Sequence, residues 1–152
     1  MTALAEQEST LTPAMLPPLW SHQREALRRI ADIDPYLPKR FALFFDPGTG
    51  KTRTVIEVLN NDDRYRKVII FAPLNVCRNW INELEKYSTK ACEYHLLAGV
   101  KNKKLEILNG FTTSKCRNGT KACHQVLIAN IESLRSGQYR FILKDSHADF
   151  IV

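Results

Sequence analysis

Apolar residues recur along the chain in two rhythms that take turns, one helical and one of buried strands. Ala26, Leu27, Ile30 and Ile33 fall at helical spacing and predict a helix over 20–33. Ser21 reads as its N-cap, and Pro35 follows its end. The run from Phe41 to Phe45 predicts a first core strand. A helix over 51–59 turns Val55, Ile56 and Leu59 inward. The stretch 67–72 is almost continuously apolar, as in a strand covered on both faces, and Pro73 ends it. Val76, Trp80, Ile81 and Leu84 line one side of a helix over 75–87. A weaker strand over 94–97, a basic helix over 101–108, a strand over 125–129, a helical turn over 131–134 and a strand over 148–152 follow.

Strands alternating with helices predict an α/β fold: a mainly parallel sheet with flanking helices. Residues 1–18 are polar, hold three prolines and read as a flexible tail; 19–152 form the folded lobe. Ligands in such sheets bind at the carboxyl ends of the strands. The stretches 46–52, 73–75 and 130–132 all lie at such ends.

The chain has 152 residues, 44% hydrophobic and 25% charged, as expected of one globular domain. No apolar run approaches the ~18 residues of a membrane span. The first eighteen residues lack the apolar core of a signal peptide and contain Glu6 and Glu8. The expected location is intracellular, in a bacterium or a phage-infected host, with Cys77, Cys92, Cys116 and Cys123 as free thiols. The net charge of +6 and pI near 9.3 favour a polyanionic partner.

The candidate chemistry starts where the run 41–45 breaks. Asp46, Pro47, Gly48, Thr49, Gly50, Lys51 and Thr52 have the layout of a phosphate-binding loop between a strand and a helix. Glycines let successive backbone N–H groups face inward as an anion nest. The helix behind adds its unpaired N-terminal N–H groups. Lys51 would reach the β/γ-phosphates of a nucleotide, and the Thr52 hydroxyl would ligate Mg²⁺. The strict pattern wants a glycine at 45, where this chain has Phe45.

Several further stretches join this loop. Leu19-Trp-Ser-His-Gln-Arg-Glu-Ala-Leu27 precedes it; Phe71-Ala-Pro-Leu-Asn-Val-Cys-Arg-Asn-Trp80 and Leu127-Ile-Ala-Asn-Ile-Glu-Ser-Leu134 follow it. Together they resemble the first RecA-like lobe of a superfamily 2 helicase. More narrowly they resemble the Swi/Snf-type DNA-dependent ATPases, including compact phage and bacterial forms. The resemblance covers about 19–152. It implies a P-loop NTPase fold, ATP and Mg²⁺ as cofactors, and duplex DNA as partner. It implies that Gln23 reads the adenine edge and that 46–52 is motif I. Phe71 to Trp80 resembles motif Ia, and Leu127 to Leu134 resembles motif Ib. Ala129 and Ile131 stand where that last motif usually has Thr and Tyr. Asn75, Arg78, Asn79 and Asn130 become candidate nucleic-acid contacts.

The strand at 148–152 resembles the one that carries Asp-Glu-x-His at its carboxyl end, and the 152 residues stop before it. The second RecA-like lobe, with its arginine finger, is also missing. The expectation is an N-terminal fragment or truncated product that binds ATP and hydrolyses it poorly. A non-catalytic nucleotide- or DNA-binding module acting on a partner helicase is the alternative. An unrelated P-loop kinase or AAA-type ATPase leaves 19–27 and 71–80 unexplained.

Other residues carry bland readings beside functional ones. Asp46 orients the loop or Lys51, or simply initiates a turn before Pro47. Asn75 is also a plausible N-cap, and Gln23 without the resemblance is an exposed helix polar residue. Trp80 lies on an apolar face and reads as core. Lys101, Lys103 and Lys104, with Lys115, Arg117 and Lys121, form either a solvated face or a phosphate-tracking strip. Cys116, Cys123, His124 and His147 lack zinc-ligand spacing. Asp145, His147 and Asp149 make no triad, since no Ser nucleophile is placed to use them.

Overall fold

The computed structural model describes residues 16–33, 41–113, 123–132 and 146–152. Its elements are α1 (Ser21–Ala31), α2 (Lys51–Asn61), β1 (Lys67–Ala72), α3 (Leu74–Tyr87), β2 (Ala91–Leu97), α4 (Lys101–Thr113), β3 (Cys123–Asn130) and β4 (Phe150–Ile151). The four strands form one sheet in the order β2-β3-β1-β4, and every pairing is parallel. The expected α/β class therefore holds.

The sheet is covered on both faces, which explains the apolar runs. On one face Val68, Ile70, Val126 and Ile128 meet Val55, Ile56, Val58 and Leu59 of α2, Cys77 and Leu84 of α3, and Ile30 of α1. On the other, Ile69, Leu97, Leu127 and Ala129 meet Leu108 and Phe111 of α4. Leu108 and Phe111 are wholly buried. β3 runs through the middle, and every residue from His124 to Ala129 is buried. Trp80, Val76 and Ile81 pack on the first core, so Trp80 is a packing residue as expected.

Several boundaries differ from the sequence reading. The most consequential is 41–45. Among the described residues this segment joins no strand. Its burial still alternates: Phe41 and Leu43 pack on the core, and Phe44 is 95% exposed. The apolar run predicts a buried strand, but a strand also needs a backbone partner, and β4 gives its hydrogen bonds to β1. Phe45 therefore does not end a strand. The helix read over 75–87 starts a residue earlier, because the Pro73 carbonyl already accepts from the Val76 and Cys77 N–H groups. Pro73 is its N-cap, and Asn75 lies within the first turn and does not cap it. Likewise Trp20, not Ser21, caps α1, which ends at Ala31 and not at Ile33. α4 runs on to Thr113, past the end read at Leu108. β2 and β3 are longer than read, and β4 is shorter. Of the turn read over 131–134, only Ile131 and Glu132 are described, as a single 3₁₀ turn.

Cys77, Cys92 and Cys123 form no disulfide among the described residues, and Cys116 lies outside them. Lys115, Arg117, Lys121 and Asp145 also lie outside them, as does the tail up to residue 15. His124 is buried, and its Nδ1–H donates to the Tyr65 carbonyl at 2.5 Å. Asp149 uses its carboxylate to accept the N–H groups of Arg66 and Lys67, which ties the start of β4 to β1. Among the described residues no three His, Cys, Asp or Glu side chains form a metal-binding group.

Burial sets a pH dependence. It holds the His124 ring below its ordinary value of 6.5, with Lys90 adding to the shift. Burial does the same to His95, opposed by Glu93. A histidine kept neutral in this way contributes stability that is fully present above the unfolded-state pKa. That stability is lost as pH falls through 6.5, because the unfolded chain takes the proton first. The urea midpoint is expected to fall between about pH 7.5 and about pH 5.5. His124→Gln is expected to shrink that fall; a midpoint that holds or rises at the lower pH contradicts this account.

Candidate phosphate-binding site

The loop between Phe45 and Lys51 is held by its own carbonyls. The Lys51 ammonium donates to the Phe45 carbonyl at 2.8 Å and the Asp46 carbonyl at 3.0 Å. The Thr49 hydroxyl and N–H both donate to the Asp46 carbonyl, at 2.6 and 3.4 Å. Asp46 thus orients Lys51 through its backbone, while its side chain is exposed. Gly48 and Gly50 have φ of 80° and 82°, in the left-handed region. Pro47 is exposed between them and Asp46.

Gly50 is the N-cap of α2, and no side chain caps that helix. Its first turn holds no acidic residue to compete for an anion. The free N–H groups, the Lys51 ammonium and the half-buried Thr52 lie together at one helix start. This donor set fits a polyphosphate: several N–H groups, one cation, and no carboxylate on the helix turn. Thr52 would be the metal-facing hydroxyl for a Mg²⁺ ion that neutralises phosphate charge.

α1 closes on this loop from the side. Gln23 is 5% exposed, so it is not an exposed polar residue. Its Oε1 accepts the Trp20 N–H at 2.9 Å, and its Nε2 donates to the Thr49 and Gly50 carbonyls at 3.4 and 3.3 Å. Beside it, His22 donates from Nε2 to the Thr49 carbonyl at 2.9 Å. Its ring sits edge-on to Trp20 and Phe45, with centroids 5.6 and 4.9 Å away. Sequence reasoning passed over His22. Its partner is 27 residues away, so no local pattern marks it. Arg53 stacks on the Tyr87 ring at 4.2 Å, fastening α2 to α3, and pairs with Glu57 on its own helix.

A groove of about 450 Å³ runs between α1 and 41–45, lined by residues that include His22, Ile30, Phe41 and Phe45. None of 46–52 lines it, so it is separate from the phosphate-loop cradle.

The nucleic-acid candidates gather on the same end of the sheet. Asn75, Arg78 and Asn79 are exposed on the first turns of α3. Asn130 is paired in register with Ala72, just before that helix, and its Oδ1 accepts the Glu132 N–H. Lys101 and Lys103 are exposed at the start of α4, which follows β2.

A family model described as SNF2-related domain matches residues 22–152. A search of curated proteins found no match.

The two loop glycines make a test of the geometry. A Cβ at Gly50 would sit 2.2 Å from Gln23 Nε2, whereas one at Gly48 meets nothing within 4 Å. Gly48→Ala is expected to cost about 1–2 kcal/mol for its backbone angle alone. Gly50→Ala is expected to cost more, by displacing the Gln23 amide. Denaturant unfolding of the two variants checks this; equal losses contradict it.

Proposed function

Because the chain belongs to the SNF2-related domain family, a family of ATP-dependent helicase-type domains that act on DNA, we propose that residues 19–152 form its ATP-binding lobe. The observation that carries this reading is the start of α2. There Lys51, two left-handed glycines and an uncapped helix terminus meet, with no carboxylate in the first turn. In this reading the loop N–H groups and Lys51 hold the β/γ-phosphates, and Thr52 holds the Mg²⁺ that neutralises developing charge in phosphoryl transfer. On phosphate binding Lys51 exchanges carbonyl partners for charged oxygens, which form stronger charge-assisted bonds. In this reading Gln23, the adenine reader that the resemblance implies, also binds the loop through the Thr49 and Gly50 carbonyls.

Duplex DNA runs along the rim made by Asn75, Arg78, Asn79 and Asn130. What supports this is the exposure of Asn75, Arg78 and Asn79 on one end of adjacent parallel strands, with half-buried Asn130 on the neighbouring strand end, together with the net charge of +6.

Turnover by these residues alone is expected to be slow. A second lobe, with its cation, would complete the cleft. A module that binds nucleotide or DNA on behalf of a partner helicase would show the same binding; a search for turnover on adding a second lobe separates the two readings.

Lys51→Ala is expected to weaken Mg·ATP binding by roughly tenfold or more, the loss of a charge-assisted contact of ~1.5–3 kcal/mol. Calorimetric titration of parent and variant measures it, and equal affinity removes Lys51 from the site. Arg78→Ala is expected to weaken duplex DNA binding and to flatten its log–log salt dependence by about one unit. A salt slope identical to the parent's takes Arg78 off the DNA path.

A further inference from the structure

We propose that His22 is a positioning residue that sets which way the Thr49–Gly50 peptide faces, and thereby whether the loop presents an N–H or a carbonyl to phosphate. The proposal rests on the phosphate-site reading above.

A trans peptide is planar, with its C=O and N–H pointing in opposite directions. Holding the Thr49 carbonyl against α1 therefore turns the Gly50 N–H the other way, away from α1. A flipped peptide would put an oxygen there and repel an anion. Gly50 has φ of 82°, where glycine rotates at little steric cost, so the chain itself does not fix the peptide. The restraint has to come from outside the loop.

Two side chains of α1 reach the Thr49 oxygen. The Gln23 bond is 3.4 Å, at the long limit of a hydrogen bond, while the His22 bond is 2.9 Å, at the usual optimum. The neighbouring Gly50 carbonyl does not need α1 in the same way. It also accepts from the Thr54 N–H at 3.0 Å and the Thr54 hydroxyl at 3.1 Å. His22 is thus the well-formed restraint on one peptide of the nest. The Thr49 oxygen can only accept, so Nε2 must carry the proton. The rings of Trp20 and Phe45 fix the imidazole plane that aims it.

The test uses the full chain, two substitutions and two probes, Mg·ATP and inorganic tripolyphosphate. His22→Phe keeps a ring between Trp20 and Phe45 and removes the donor. His22→Gln removes the ring and keeps a donor. His22→Phe is expected to weaken both probes by roughly five- to tenfold, the value of about one hydrogen bond, and His22→Gln to bind close to the parent. Nitrogen NMR of the free parent is expected to show the His22 proton on Nε2. Parent-like binding by His22→Phe, equal weakening by both variants, or a loss confined to ATP overturns the proposal. So does a proton on Nδ1 alone, even if a variant fails to fold. If the folded parent binds neither probe, the phosphate-site reading itself falls; normal parent binding with an indifferent His22→Phe overturns only the role of His22.

Discussion

An anion nest requires that backbone carbonyls be turned out of it, since each one facing inward would cancel an N–H. Along 45–50 each bonded carbonyl has a named donor. Lys51 takes the Phe45 and Asp46 oxygens, Thr49 takes Asp46 again, α1 takes Thr49, and Thr54 with Gln23 takes Gly50. The glycines make these orientations sterically accessible, but they do not choose among them. The choice comes from a helix that precedes the loop in the chain and from the helix that follows it. The phosphate loop is therefore a product of the α1–α2 contact as much as of its own sequence. That contact in turn depends on Ile30 and Leu27 sharing a core with Val55, Val58 and Leu59.

The parallel sheet does the remaining placement. Its strands run the same way, so their carboxyl ends, and the helices that start there, collect on one rim. The register Ala72↔Asn130 puts the start of α3 beside the 130–132 turn. Burial of both sheet faces makes this arrangement stiff. α4 fills the second face with Leu108 and Phe111, and Lys67 binds its last turn through the Thr112 carbonyl. A residue on the rim therefore has a fixed neighbour, although rim residues themselves pack little.

Much of this was legible in the sequence because periodicity and burial are tied together. The strand 67–72 was readable to the residue, since both its faces are covered and both carry apolar side chains. The inward set of α2 was equally plain. What escaped depended on partners. The segment 41–45 has the composition of a strand, but strand pairing is a property of two chains of backbone, and only one is written in those five residues. The start of α3 escaped because the Pro73 carbonyl, which no side-chain pattern encodes, does the capping. His22 escaped because its meaning lies in an oxygen 27 residues away. Gln23 was found by resemblance, and the structure adds that it is buried and bonded to the loop.

That last point joins two parts of the site that the sequence kept apart. One carboxamide has one acceptor oxygen and one donor nitrogen. In this structure Gln23 commits the oxygen to Trp20 and the nitrogen to Thr49 and Gly50. Turning the same amide toward a purine edge would release bonds to the loop and to the N-terminus of α1. Any interaction of Gln23 with a base is then coupled to the orientation of the phosphate loop, because both draw on the same two atoms. His22 is free of this competition: its Nε2 has one partner among the described residues, and its ring is held from both sides by Trp20 and Phe45. In the proposed site the two neighbours on α1 would thus divide the work: Gln23 would give up loop bonds to meet a base, while His22 would keep the Thr49 carbonyl in place.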